Sequence, residues 1–205
     1  EAACVSVHGA NRLGSNSLID LVVFGKAASD RINDTVKKGE PNKDIPQSVI
    51  DEVINRFDAT RHSNGSNPTA ELRNKMQKVM QNHCAVFRDE EIMSEGKKLI
   101  EDIWLQSSDI NVKDKSLIWN TDLLETLEFQ NLISQAVVTM SSAYNRKESR
   151  GAHARDDFTE RDDKNWMVHT LAWAHNNNCT LDYRPVHTYT LSNEVKYIEP
   201  KASVY

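Results

Sequence analysis

Apolar residues recur along most of this chain at the three-and-four spacing of one helix face, broken by short polar runs. Leu18, Leu21, Val22, Ala28, Ile32 and Val36 predict a helix beginning near Ser17, with Gly39 as its stop. After the polar linker Glu40 to Ile45, Pro46 is suited to open a second helix with the stripe Val49, Ile50, Val53, Ile54 and Phe57. His62 to Pro68 breaks the pattern. A third stripe, Leu72, Met76, Val79 and Met80, follows, then a fourth, Ile92, Leu99, Ile100, Ile103 and Trp104. Beyond the polar stretch Ser107 to Ser116, Thr121 to Tyr144 carries Leu124, Leu127, Leu132, Ile133, Ala136, Val137 and Met140 without Gly or Pro, the strongest helical signal in the chain. Residues 46 to 144 therefore read as an antiparallel helical bundle.

The two ends have a different pattern. Ala2 to Val7 is small and β-branched, and His8 to Asn16 is rich in turn formers, so strand, loop and helix make a partial α/β unit at the N-terminus. Past Tyr144 the helical period vanishes and charges crowd together as far as Asp163. Trp166 to His175 and Cys179 to Leu191 then predict a small hairpin about Asn176-Asn177-Asn178. The expected class is mainly α, with a partial α/β segment at the start and a small β and loop region at the end. Residues 1–40, 41–145 and 146–205 are the expected domains. No internal repeat or low-complexity tract appears.

Composition narrows this picture. A chain of 205 residues, 39% hydrophobic, can bury a core in one or two domains. The net charge of -5, with both signs interspersed, offers no basic face for nucleic acid. The best apolar run, Leu21 to Phe24, is far short of the roughly 20 residues of a membrane-spanning helix. Cys4, Cys84 and Cys179 show no zinc spacing and point to a reducing compartment. Glu1 in place of Met, with no leader pattern after it, suggests truncation or processing, with any targeting information upstream.

The loop before the first helix carries the most informative chemistry. Glycines and asparagines let a backbone approach a ligand closely, and a helix start presents unpaired amides and a positive dipole end that suit an anion. Arg12 lies in this loop, and its planar guanidinium can grip a carboxylate or phosphate through two parallel bonds. An arginine in such a loop also reads as a surface ion pair, so spacing alone leaves the choice open. His8, beside a glycine, reads as a hydrogen-bonded structural residue. The charges Glu148, Arg150, His153, Arg155, Asp156 and Asp157 read as a solvated or mutually paired loop, with no chemistry assigned. His169, His175 and His187 have no compact metal-ligand spacing.

Three stretches carry a resemblance: HGANRLGSNSL at His8 to Leu18, ESRGAHARDDF at Glu148 to Phe158, and RDDKNW at Arg161 to Trp166. In this order, joined by a helical region, they resemble the C-terminal portion of the succinate dehydrogenase and fumarate reductase flavoproteins over essentially the whole chain. The resemblance implies residues 1–40 as the end of an FAD-binding domain. It also implies FAD contacts from Glu1 and, at the helix start, from Ser17 and Leu18, and a carboxylate of succinate held by Arg12. The family's dinucleotide fingerprint, its histidine that carries FAD covalently and its proton-abstracting arginine would all precede these residues, so no catalytic residue is assigned and the piece alone is expected to be inactive. By the resemblance the charged motif braces the C-terminal region against the flavin domain.

The implied activity is FAD-linked oxidation of succinate to fumarate, with electrons passed to an iron-sulfur subunit and on to quinone through membrane anchor subunits. The setting would be the cytoplasmic face of a bacterial inner membrane or the matrix face of the mitochondrial one. Fumarate reduction by the same kind of subunit is the nearest alternative, and L-aspartate oxidase is a more distant relative. A non-catalytic helical interaction module is the alternative for the piece by itself. One departure stands out: Gly14-Ser15 occupies the place where the family usually has two glycines, which leads to the expectation of a slightly altered loop.

Overall fold

The computed structural model describes residues 6–9, 12 and 14–201. The chain is mainly helical and divides into two compact units, residues 1–54 and 55–205. The first unit holds α1 (Gly14–Thr35) and most of α2 (Gln47–Arg61). In the second, the short strand β1 (Asn67–Pro68) leads into α3 (Thr69–His83), followed by α4 (Glu90–Gln106), β2 (Ile110–Asn111) and α5 (Thr121–Asn145). A single turn, α6 (Asp163–Trp166), then precedes strands β3 (Val168–His175) and β4 (Asn178–Pro185).

The core belongs to α3, α4 and α5. Leu72, Met76 and Val79 of α3 meet Met93, Ile100 and Ile103 of α4 and Leu123, Phe129, Ile133, Val137 and Met140 of α5, all buried. Gly96 sets how closely these helices approach, because a Cβ there would lie 2.3 Å from His83 Cβ and 2.8 Å from Met140 Cε. The starts of α4 and α5 are capped by side chains: Asp89 accepts from Ile92 N at 2.8 Å, and Asn120 from Leu123 N at 2.8 Å. Between α3 and α5, the hydroxyls of Thr69 and Thr126 pair at 2.7 Å, so two buried polar groups satisfy each other. β1 and β2 form a short parallel pair, Asn67 opposite Ile110, and tie the entrance of α3 to the exit of α4.

Two stripes differ in phase from the sequence expectation. In α5, Leu124 and Leu132 face solvent while Leu123, Thr126 and Phe129 are buried. In α4, Leu99 is exposed and Met93 and Gly96 face the core. The stripe of α2 is also exposed along its whole length, Val49 to Phe57, so the core is built by α3, α4 and α5 without it. The hairpin stands where expected: β3 and β4 run antiparallel from Val168 opposite Pro185 to His175 opposite Asn178. Asn176 and Asn177 turn the chain with φ of 49° and 57°, the left-handed pair required by a two-residue turn matching strand twist.

Candidate functional site

Helix α1 begins at Gly14, three residues before the expected start. Its first turn is therefore Gly14-Ser15-Asn16-Ser17, with no acidic residue to offset the positive end of the helix. Ser15 is helical, so the serine in place of a second glycine carries no left-handed strain, and the expected loop alteration has no cause at that position. Arg12 precedes the helix by two residues and is exposed. Ser17 is half-buried in the first turn and Leu18 is exposed next to it. These three expected residues thus sit at one loop-to-helix junction. Glu1 lies outside the described residues, as do residues 2–5 of the expected strand Ala2 to Val7; Ser6, next to its last residue, has φ of 63° and is not extended.

His8 is the hydrogen-bonded residue that its position suggested: its Nε2 lies 2.7 Å from Asp20 Oδ2. Sequence reasoning missed Asp20. Its signal was a lone carboxylate within the apolar run Leu18 to Val23, three residues after Ser17 and so on the same helix face. The backbone around His8 is held in left-handed turns, with Ser6 at φ 63° and Gly9 at φ 64°. A Cβ added at Gly9 or Gly14 would meet no heavy atom within 4 Å, so the backbone there is open to a close neighbour. Exposed amides, a dipole end without a carboxylate, and Arg12 form a donor set that fits an anionic group.

The charged motif is mutually paired, one of the two expected alternatives, about buried Glu148, His153 and Arg155, while Asp156 and Asp157 remain exposed. Glu148 is fully buried and accepts from Arg146 Nη1 at 2.6 Å, from Arg150 Nε at 2.8 Å and Nη2 at 3.0 Å, and from the Asp162 amide at 2.9 Å. Burial works to raise its pKa, and the donors from Arg150, the Asp162 amide and Arg146 outweigh it, holding the carboxyl below its ordinary value. Arg155, also buried, donates two bonds to Asp157 (2.8 and 2.6 Å), one to Glu90 (3.2 Å) and one to the Tyr144 carbonyl (3.0 Å), with its guanidinium 5.1 Å from the Phe158 ring. Arg146 reaches the carbonyls of Trp166 and Val168 and lies over the Trp166 ring. The motif is a joint: it ties the end of α5 and the start of α4 to the hairpin.

His153 sits in the same joint. Arg88 Nη1 donates to its Nδ1 at 3.1 Å, since an arginine has no acceptor, so the ring proton is on Nε2 and faces the Arg146 carbonyl at 3.2 Å. Burial, with the positive charges of Arg88, Arg146 and Arg155, pushes its pKa down despite that carbonyl, and the ring is neutral. It has no open position for a reacting group. Among the described residues no three His, Cys, Asp or Glu side chains gather as a metal site, and no helix is long and apolar enough to cross a membrane.

Residues 73–205 match the family model described as "Fumarate reductase flavoprotein C-term". The whole chain is 54% identical to the mitochondrial succinate dehydrogenase [ubiquinone] flavoprotein subunit of Oryza sativa subsp. japonica, covering 32% of it. It is 53% identical to the succinate dehydrogenase flavoprotein subunit of Rickettsia bellii, covering 35% of that protein. Among solved structures, E. coli quinol fumarate reductase superposes with a TM-score of 0.80 at 34% identity, over 94% of this chain and 33% of that one. The chain belongs to the succinate dehydrogenase and fumarate reductase flavoprotein family. It spans about a third of the length of the relatives it matches.

Proposed function

We propose that these residues are part of an FAD-containing subunit that oxidises succinate to fumarate and passes the electrons to an iron-sulfur subunit and on to quinone. The observation that carries this reading is the identity above one half, across the entire chain, with succinate dehydrogenase flavoprotein subunits. The fumarate reductase likeness is real but lower, at 34% and 38% identity, and the same residues would serve the reaction in either direction. In this reading residues 1–40 close the FAD-binding domain, 41–145 form an antiparallel helical domain and 146–205 a C-terminal region. The subunit would be peripheral, held at a bacterial or mitochondrial inner membrane by its partner subunits.

FAD supplies the hydride acceptor in this chemistry. The chain's own contribution at the junction is binding and orientation. Arg12 takes one carboxylate of the dicarboxylate in its planar fork, which fixes the carbon that must face the flavin. The first turn of α1, free of acidic residues, favours negative charge nearby, and Ser17 and Leu18 would offer the flavin hydroxyl, amide and apolar contacts. Glu1 is proposed to bind the ribose or ribityl side.

The test is Arg12→Lys in the full-length, assembled subunit. Lysine keeps the charge and loses the fork, so succinate turnover should fall about a hundredfold, the typical loss for one preorganised donor. Near-normal turnover in a fully flavinylated, assembled variant would remove Arg12 from the substrate site.

A further inference from the structure

Along α1 the covered face is polar. Leu18, Ile19, Leu21, Val22, Val23 and Phe24 are exposed, whereas Ser17 and Asp20 are half-buried, and these two are three residues apart on one side of the helix. The bond between His8 Nε2 and Asp20 Oδ2, at 2.7 Å, ties the loop to this side, with side-chain exposures of only 21% and 13%. Arg12 lies between the two ends of this tie, four residues after His8 and eight before Asp20.

We infer that the His8–Asp20 pair is a positioning device for Arg12: it closes the loop onto the second turn of α1 and fixes where the guanidinium meets the substrate carboxylate. This rests on the reading of Arg12 as the carboxylate ligand. Neither partner touches substrate. A carboxylate such as Asp20 is unsuited to contact a dicarboxylate, and its Oδ2 is engaged by His8. Since orientation is much of what a carboxylate ligand supplies, release of the loop weakens both binding and the aligned geometry for hydride loss.

The experiment uses the full-length subunit assembled in its complex, with FAD content, assembly and succinate kinetics measured for Asp20→Ala, Asp20→Asn, Arg12→Ala and the double variant Arg12→Ala/Asp20→Ala. Asp20→Ala should keep its flavin and lower kcat/KM for succinate at least tenfold, with KM raised and kcat lowered together. Asp20→Asn, which retains an oxygen acceptor for His8, should recover most of the loss. The double variant should be no slower than Arg12→Ala, because Asp20 acts only through Arg12. Effects that multiply in the double variant, or wild-type kcat/KM in Asp20→Ala beside a crippled Arg12→Ala, would overturn the positioning role and leave Arg12 in place. Normal kinetics in Arg12→Ala would overturn the substrate-site reading itself. If Asp20→Ala loses flavin, His8→Ala and His8→Leu, which break the same bond from the other side, are read instead. A fully flavinylated variant of this pair with kcat/KM lowered threefold or more supports the proposal, and a smaller loss overturns it.

Discussion

Replacing Arg155 by Lys tests whether the arginine-rich joint holds the second unit together. The substitution preserves the charge and most of the stem but leaves one ammonium where a planar fork stood. Arg155 bonds both oxygens of Asp157, one oxygen of Glu90 and the carbonyl of Tyr144 in the last turn of α5. An ammonium can keep Asp157 and Glu90 through one bond each, and loses the second Asp157 bond and the Tyr144 bond, each worth about 1 kcal/mol net. The expected loss is therefore about 2 kcal/mol. Removing the charge altogether, in Arg155→Ala, should approach about 3 kcal/mol, the lower end for a broken buried pair, because Asp157 and Glu90 retain solvent access and can rehydrate. The assay is urea unfolding of the 205-residue chain followed by tryptophan fluorescence, since Trp166 lies under Arg146 in the same joint. With a slope of about 2 kcal/mol per molar urea, Arg155→Lys should lower the midpoint by about 1 M. A shift below about 0.3 M at unchanged slope would mean that the fork geometry contributes nothing.

Gly96→Ala should destabilise the chain by about 1–2 kcal/mol despite alanine's better helix propensity, because the new methyl meets His83 Cβ at 2.3 Å; a raised melting temperature would refute the close approach of α3 and α4. Stability should fall as pH drops below about 6.5, the ordinary histidine value, because the folded pKa of His153 is depressed and the unfolded state binds the extra proton. His169 is lowered in the same direction, so His153→Gln should shrink the slope between pH 7.5 and 5.5 without abolishing it, and an equal slope in both proteins would exclude His153. A further loss should set in below about pH 4, where Glu148 and Asp157, both held low in the fold, take up protons. The purified 205-residue chain should be colourless and should not oxidise succinate, as a dinucleotide site needs a phosphate-binding fold that these residues do not supply; stoichiometric flavin absorbance would contradict this.

The helices and the hairpin were legible in the sequence because each is announced by adjacent residues: a three-and-four period, a capping side chain, or two asparagines at a turn. What the period could not settle was phase. In α5 the neighbours Leu123 and Leu124 start two equally apolar stripes, and the buried one runs through Thr126, a polar residue made acceptable by a hydroxyl on another helix 57 positions away. In α4 the inward phase runs through Gly96, which has no side chain to register on a hydrophobicity count. In α2 the period marks an apolar face, Val49 to Phe57, and that face is exposed, because a period describes a helix and says nothing of its neighbour.

The same division separates the proposed site residues from the joint of the second unit. Arg12, Ser17 and Leu18 lie within one contiguous stretch, so a motif can expose them without any knowledge of the fold. The residues of the joint are scattered: Arg155 meets Glu90 and Arg88 meets His153 across 65 positions, and no local pattern of signs announces which charges pair. Asp20 is the intermediate case, near enough to His8 to share a motif yet embedded in apolar residues that draw attention from it. A ligand contact demands a particular functional group at a particular backbone geometry, which compresses into a short string. A support demands only that some complementary group arrive from anywhere in the fold, and therefore becomes visible when the chain is seen folded.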